Sequence, residues 1–178
     1  MTTQFDLFGL QVVRDGDASG AMFDTDRVYR YRLWRTLDTG PKRIVWIMLN
    51  PSTADESNPD PTMTRVMGFS RRWGFSRVSI VNLFALRSKD PDVLAKHADP
   101  IGPQNDEHIL GSARNCDAVV CAWGNGGLLH GRSVVVRDML RRECTAPVVC
   151  LGVTGEHQPK HPLYLRSDTG PLALGDVT

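Results

Sequence analysis

The chain has 178 residues, 41% hydrophobic and 23% charged, with a formal net charge of +1. That length suits one domain with a substantial core. The near-neutral balance excludes a bulk electrostatic pull toward nucleic acid or membrane, no apolar run approaches spanning length, and the four cysteines (Cys116, Cys121, Cys144, Cys150) form no CxxC pair, which argues against a disulfide framework or a zinc site and predicts a reducing compartment, the cytoplasm.

Residues 1–26 are mixed and glycine-punctuated, and read as a tail or loosely attached arm without a basic-then-apolar signal pattern. Residues 27–178 read as a single α/β domain. VYRYRLWRTL (28–37) alternates apolar and basic residues, as a half-exposed edge strand does. DTGPK (38–42) is turn chemistry, and IVWIML (44–49) is a continuous apolar run that suits a strand buried on both faces. The two strands are expected to form a hairpin. Asp60-Pro61 opens a helix, carried by Met63, Val66, Met67, Ser70 and Trp73 and stopped by Gly74. A second buried strand follows at 78–84, a helix after Asp90-Pro91, and another over Asn105–Asn115. The third buried strand is 117–123. Arg132–Arg142 is an amphipathic helix with Val134, Val135, Met139 and Leu140 inward, and 147–152 is the fourth buried strand. This alternation predicts an α/β fold: a three-layer αβα arrangement with a mostly parallel central sheet of about four core strands plus an antiparallel edge strand.

Each buried strand runs into a polar loop: IMLNPSTAD (47–55), IVNLFALR (80–87), VCAWGNGG (120–127) and CLGVTGEHQPKHPLYL (150–165). Open α/β sheets bind ligands at the carboxyl ends of their strands, so Asn50, Asp55, Asn82, Arg87, Trp123, His157 and His161 are expected to crowd one crevice. Pro51 holds Asn50 extended and ends its strand. The Asn50 amide suits the positioning of a water, while the bland alternative is that Asn50 and Ser52 only turn the chain. Asp55 is a candidate general base. Asn82 interrupts a β-branched run where its amide must find partners, and one donor beside one acceptor matches a nucleobase edge. Trp123 reads as core or as a stacking surface. Gly124, Gly126 and Gly127 permit close backbone approach, but the Gly-Lys-Ser/Thr of a phosphate loop is missing. His157, Lys160 and His161 precede Tyr164 and Arg166; a loop His over a crevice can donate to a developing anion. No metal or cofactor motif is expected. Arg71, Arg72 and Arg77, and Arg132, Arg137, Arg141 and Arg142, read as solvated faces or, more sharply, as phosphate contacts.

From about Tyr29 to Leu172, the motifs LNPSTAD, DPT, NLFA, AWG and PKHPLYL resemble an uncharacterised bacterial and phage domain family. More distantly, their order resembles the uracil-DNA glycosylase superfamily. LNPS with Asn50 is similar to that superfamily's water-activating loop, with Ser52 where Gly is usual. IVNLF with Asn82 resembles its base-reading strand. His161-Pro162-Leu163 resembles its base-supporting loop, with Leu163 where Ser is usual. The resemblance implies a uracil-DNA glycosylase-like fold and a monofunctional DNA glycosylase. In it Asn50, Asp55 and His161 would be catalytic. Pro51, Ser52, Asn82, Arg87, Trp123, Gly124, His157, Lys160, Tyr164 and Arg166 would contact substrate, with DNA as partner and no cofactor. The alternatives are a non-catalytic nucleic-acid or nucleotide binder, which the departures at Ser52 and Leu163 favour, and an unrelated small-molecule hydrolase using Asp55 and His161. Gln4-Phe5-Asp6-Leu7-Phe8 resembles the bacterial sliding-clamp-binding peptide; a plain strand start is the equal alternative.

Overall fold

Nine strands form one mixed sheet in the computed structural model of the chain, which describes every residue except Met1, Leu7, Phe8, Gly16, Asp17, 53–60, Pro91 and Thr178, and the side chains of Phe5, Asp15, Asp176 and Val177. The strands are β1 (Thr2–Phe5), β2 (Gln11–Asp15), β3 (Ser19–Phe23), β4 (Arg30–Thr36), β5 (Arg43–Met48), β6 (Arg77–Asn82), β7 (Ala118–Cys121), β8 (Val148–Cys150) and β9 (Leu172–Ala173). Among the described residues the α-helices are α1 (Pro61–Arg72), α2 (Asp92–Lys96), α3 (Asn105–Arg114) and α4 (Arg132–Glu143). The sheet order is β1-β2-β3-β4-β6-β5-β7-β8-β9. No helix among the described residues is long and apolar enough to cross a membrane.

The four apolar runs are parallel neighbours, through the pairs β5–β6, β5–β7 and β7–β8. The expectation of a mostly parallel sheet is corrected by everything around them: β1–β2, β2–β3, β3–β4, β4–β6 and β8–β9 are all antiparallel. The expected hairpin of the first two domain strands is also corrected. Both edges of β5 are taken by β6 and β7, so β4 pairs with the outer edge of β6, and it lies inside the sheet rather than at its rim. Residues read as an arm supply β1, β2 and β3, with Val12, Val13, Ala21 and Phe23 buried. Gln4 is exposed on the edge strand β1, whereas Leu7 and Phe8 of the clamp-like peptide lie outside the described residues.

The apolar runs bury both faces because helices cover both. Trp46 and Met48 of β5 and Ile80 of β6 pack on Met63, Val66 and Phe69 of α1. The Trp46 indole N–H donates to Ser70 Oγ at 3.1 Å, so its polar edge is not stranded in the core. Gly74, at φ +76°, ends the α1 segment as expected. On the opposite face, Val45, Ile47, Val81, Val119 and Cys121 meet Ile109 and Ala113 of α3 and Val136 and Leu140 of α4. Half of the inward face expected for α4 is corrected: Leu140 is buried and Met139 packs against the core as expected, but Val134 and Val135 are 63% and 47% exposed, and Ser133 and Val136 point in instead. Arg132 sets this rotation. It is buried, donating Nε–H to Leu83 O at 2.9 Å and pairing with Asp106.

One irregularity bears on the site. Met22 pairs with Arg32, but the next β3 residue, Phe23, pairs with Arg30. Tyr31 is therefore an extra residue in β4. Such a bulge switches side chains to the other face of a strand, and here it puts Arg30 on the same face as Leu33.

Candidate functional site

The parallel strands run in the spatial order second, first, third, fourth, so successive connections leave β5 in opposite directions. That reversal opens a crevice at the carboxyl ends of the strands flanking it. A cavity of about 320 Å³ lies at these ends. Its walls are Leu49, Asn50 and Ser52 after β5, Ile80 and Asn82 of β6, Trp123 after β7, His161 and Tyr164 from the last long loop, Thr62 and Met63 of α1, and Arg30 and Leu33 of β4.

Asn50 is held by its own loop and the next one. Its Nδ2 donates to Ser88 O at 2.9 Å and to Pro51 O at 3.3 Å. Two carbonyl neighbours identify that end of the amide as the donor, so Oδ1 is the acceptor of this cavity-lining residue. Ser88 N–H donates back to Pro51 O at 3.0 Å, clamping the post-β5 and post-β6 loops together.

Asn82 is 3% exposed at the end of β6. Its backbone carbonyl accepts from Asn105 Nδ2 at 3.0 Å, and the same Nδ2 donates to Leu83 O at 3.0 Å. Its side-chain amide makes no hydrogen bond among the described residues while lining the cavity. Its polar atoms are open to the cavity, so water or a ligand there supplies their partners.

His161 reaches this place because its loop is tied across β7. Gly124 N–H donates to Pro159 O at 2.8 Å, and Lys160 N–H donates to Gly152 O at 2.9 Å. His161 Nδ1 accepts from Leu163 N–H at 3.3 Å. With Nδ1 accepting, the neutral ring carries its proton on Nε2 and is a donor there. Tyr164 is 85% exposed at the rim, its ring centroid 6.1 Å from that of His161.

The remaining expected site residues divide. Ser52 lines the cavity. Trp123 borders it, yet its indole sits in the opposite core, 2% exposed, donating Nε1–H to Gln158 Oε1 at 3.0 Å; it offers no stacking face. Pro51 is buried and serves the loop clamp. Arg87, Gly124, His157, Lys160 and Arg166 are absent from the cavity walls. Arg87 donates to Arg27 O at 2.9 Å and lies over the Phe23 ring, bracing the β3–β4 connection. Gly124, at φ +66°, serves the turn after β7. His157 is exposed at φ +54°, its carbonyl accepting from Arg137 at 3.1 Å. Lys160 is exposed, and Arg166 pairs in solvent with Asp168 at 3.0 Å. Asp55 lies outside the described residues.

Arg30 is the residue that sequence reasoning missed. It is 7% exposed and puts a guanidinium in the cavity wall. Regular alternation groups it with Arg32 on one face; only the bulge at Tyr31 separates the two, and no local sequence signal marks that bulge. Thr62 and Met63 were also missed as cavity residues: they bring the first turn of α1, the positive end of its dipole, to the cavity. The site therefore combines two amides, one imidazole donor, one buried cation and a helix N-terminus around an apolar floor of Leu33, Met48, Met63 and Ile80.

A family model described as a protein of unknown function (DUF1643) matches residues 30–163. No curated protein and no solved structure matches the chain. The matched span runs from the first residue of β4 into the loop bearing His161, so it holds every cavity-lining residue but Tyr164. The match spans well over half of the sequence, and the chain belongs to the DUF1643 family.

Proposed function

We propose that the protein processes nucleic-acid bases, most concretely as a monofunctional DNA glycosylase that hydrolyses the N-glycosidic bond of an altered or modified base. The observation that carries this reading is the Asn82 amide, buried, without a protein partner, and facing a cavity large enough for one planar heterocycle. Its donor and acceptor match the edge of a base. The finer reading of the fold as uracil-DNA glycosylase-like rests on the parallel β5–β8 core with α1 on one face and α3 and α4 on the other.

In this reading the target base leaves the stack and enters the cavity, at a cost of about a few kcal/mol. The C1′–N bond breaks with its electron pair going to the base. His161 Nε2–H and the Arg30 guanidinium meet the negative charge that develops there. Asn50 Oδ1 accepts a hydrogen bond from a water and aims its oxygen at C1′. That oxygen bonds to the cation-like sugar, and the water's proton passes to solvent or to the departed base. The protein's part is orientation and fixed electrostatics, without a covalent intermediate.

The test is base release from oligonucleotides carrying uracil, hypoxanthine or phage-type modified pyrimidines, read as abasic-site cleavage. Release by the native protein and its loss in Asn82→Ala and His161→Ala supports the proposal. No release across a broad panel overturns it, and oligonucleotide binding that survives Asn50→Ala without product marks a binder instead.

A further inference from the structure

A second cavity, of about 540 Å³, lies at the other end of the sheet. Arg43 and Arg77 are the first residues of β5 and β6, whereas the cavity described above sits past their last residues. Six strand residues separate the two ends by about 17 Å. The face differs too: Arg14, Trp34, Ser79 and Val45 fall on one side of the sheet by register, the side that α3 covers.

Five arginines line this cleft: Arg14, Arg32, Arg35, Arg43 and Arg77. No Asp or Glu stands among its described lining residues. The side chains of Arg14, Arg43 and Arg77 make no ion pair or hydrogen bond among the described residues. Arg32 donates Nε and Nη2 to Ser79 Oγ at 3.2 and 3.0 Å, a neutral partner. The Asp117 carboxylate accepts from the backbone N–H of Arg43 at 2.7 Å. Arg43 and Arg77 are direct cross-strand partners, where like charges repel. Burial, and then the charge of Arg43, pull the Arg32 pKa below its ordinary value.

The floor is shaped as well. A Cβ on Gly20 would meet Trp34 Cζ2 at 2.1 Å, so glycine alone lets that indole lie against β3. The Arg32 guanidinium sits 5.5 Å from the Trp34 ring centroid. An aromatic floor under a cationic rim suits anions carried on a flat or extended scaffold.

We propose that this cleft binds phosphate, specifically a ligand presenting two or more linked phosphate groups to Arg14, Arg32, Arg43 and Arg77. The ligand is either a free polyphosphate or nucleotide, or a stretch of nucleic-acid backbone; the recognising chemistry is the same. The site stands independently of the base-processing proposal.

The experiment titrates the full chain with sodium tripolyphosphate and, separately, with an unmodified single-stranded oligonucleotide, by calorimetry at low salt. The variants are R43Q/R77Q and Arg14→Gln, with Arg141→Gln on exposed α4 as a control for net charge. The expected result is 1:1 binding that weakens about tenfold or more in R43Q/R77Q, falls steeply with salt, and is unchanged in Arg141→Gln. Loss of tripolyphosphate binding identifies a free polyphosphate ligand, and loss of oligonucleotide binding alone identifies nucleic-acid backbone. R43Q/R77Q is expected to melt at or above the native temperature, because repulsion is relieved; Arg14→Gln gives the same reading if the double variant does not fold. Absence of binding by both ligands, or equal binding to native protein and R43Q/R77Q, overturns the proposal.

Discussion

Asn82→Leu separates a ligand-reading amide from a structural one. A buried asparagine whose amide is paired inside the protein loses those bonds on substitution and strands its partners, at about 1–3 kcal/mol. The Asn82 side chain has no such bonds to lose: its backbone carbonyl holds Asn105, and its amide faces only the cavity. Leucine there removes a polar group that must otherwise be solvated and adds apolar contact next to the core of Met48 and Ile80. The expected change is zero to about 1 kcal/mol of added stability, a melting temperature unchanged or up by about 2–4 °C. Base release is expected to fall about 100-fold, since two hydrogen bonds to the base edge vanish at about 1–1.5 kcal/mol each. Thermal melting and single-turnover release on the same preparations read both effects. A drop in melting temperature of about 4 °C or more, with release unaffected, would refute the reasoning: Asn82 would then be a structural asparagine.

Asn105→Leu behaves oppositely. Its Nδ2 donates to Asn82 O and Leu83 O from a site 1% exposed; Leu83 O keeps the Nε–H of Arg132, so the loss falls on the Asn82 carbonyl and costs about 1–3 kcal/mol, read as a lower denaturant midpoint. Gly127→Ala drives a Cβ to 2.2 Å from Trp123 Cδ1; overpacking of this kind costs about 1–3 kcal/mol and loosens the Trp123–Gln158 bond, visible in near-ultraviolet circular dichroism. Burial pushes the Cys116 thiol up to about 12 and the Tyr31 hydroxyl also up to about 12. Between their ordinary values and that pH the unfolded chain has lost protons that the folded chain keeps, so stability falls as pH rises above about 9. Urea melts at pH 8, 9 and 10 check this, and Cys116 resists thiol reagents at pH 8 until unfolding. His108, stacked on Tyr31 with centroids 4.7 Å apart, has its pKa lowered by burial. The unfolded chain then takes up a proton first, so stability is lost as pH falls through about 6.5, and His108→Phe removes that dependence.

Much of the fold follows from short-range pattern. Ile44–Met48 and Val78–Val81 announce buried strands because every residue is apolar or small. Pro61 and Gly74 bracket α1 through fixed φ and free φ. The juxtaposition of Asn50, Asn82 and His161 was legible because α/β sheets gather strand-end loops, and the cavity brings them together. The residues that did not join share a cause. Arg87, His157, Lys160 and Arg166 were expected there because they lie near strand ends in sequence, but a long side chain reaches many places: Arg87 lies over Phe23, His157 and Lys160 are exposed, and Arg166 pairs with Asp168.

Sequence alone therefore determined the elements whose cause lies within a few residues: apolar runs, proline starts, glycine stops, and an asparagine out of place in a β-branched strand. Tertiary structure decided what depends on partners far along the chain. The saturation of β5 by β6 and β7 sent β4 to the far side of β6 and made most of the sheet's pairings antiparallel. The bulge at Tyr31 turned Arg30 into one cavity, and register alone lined Arg14, Arg32, Arg43 and Arg77 along another. Strand edges and faces are shared resources, so their allotment is settled only when all the strands are in place.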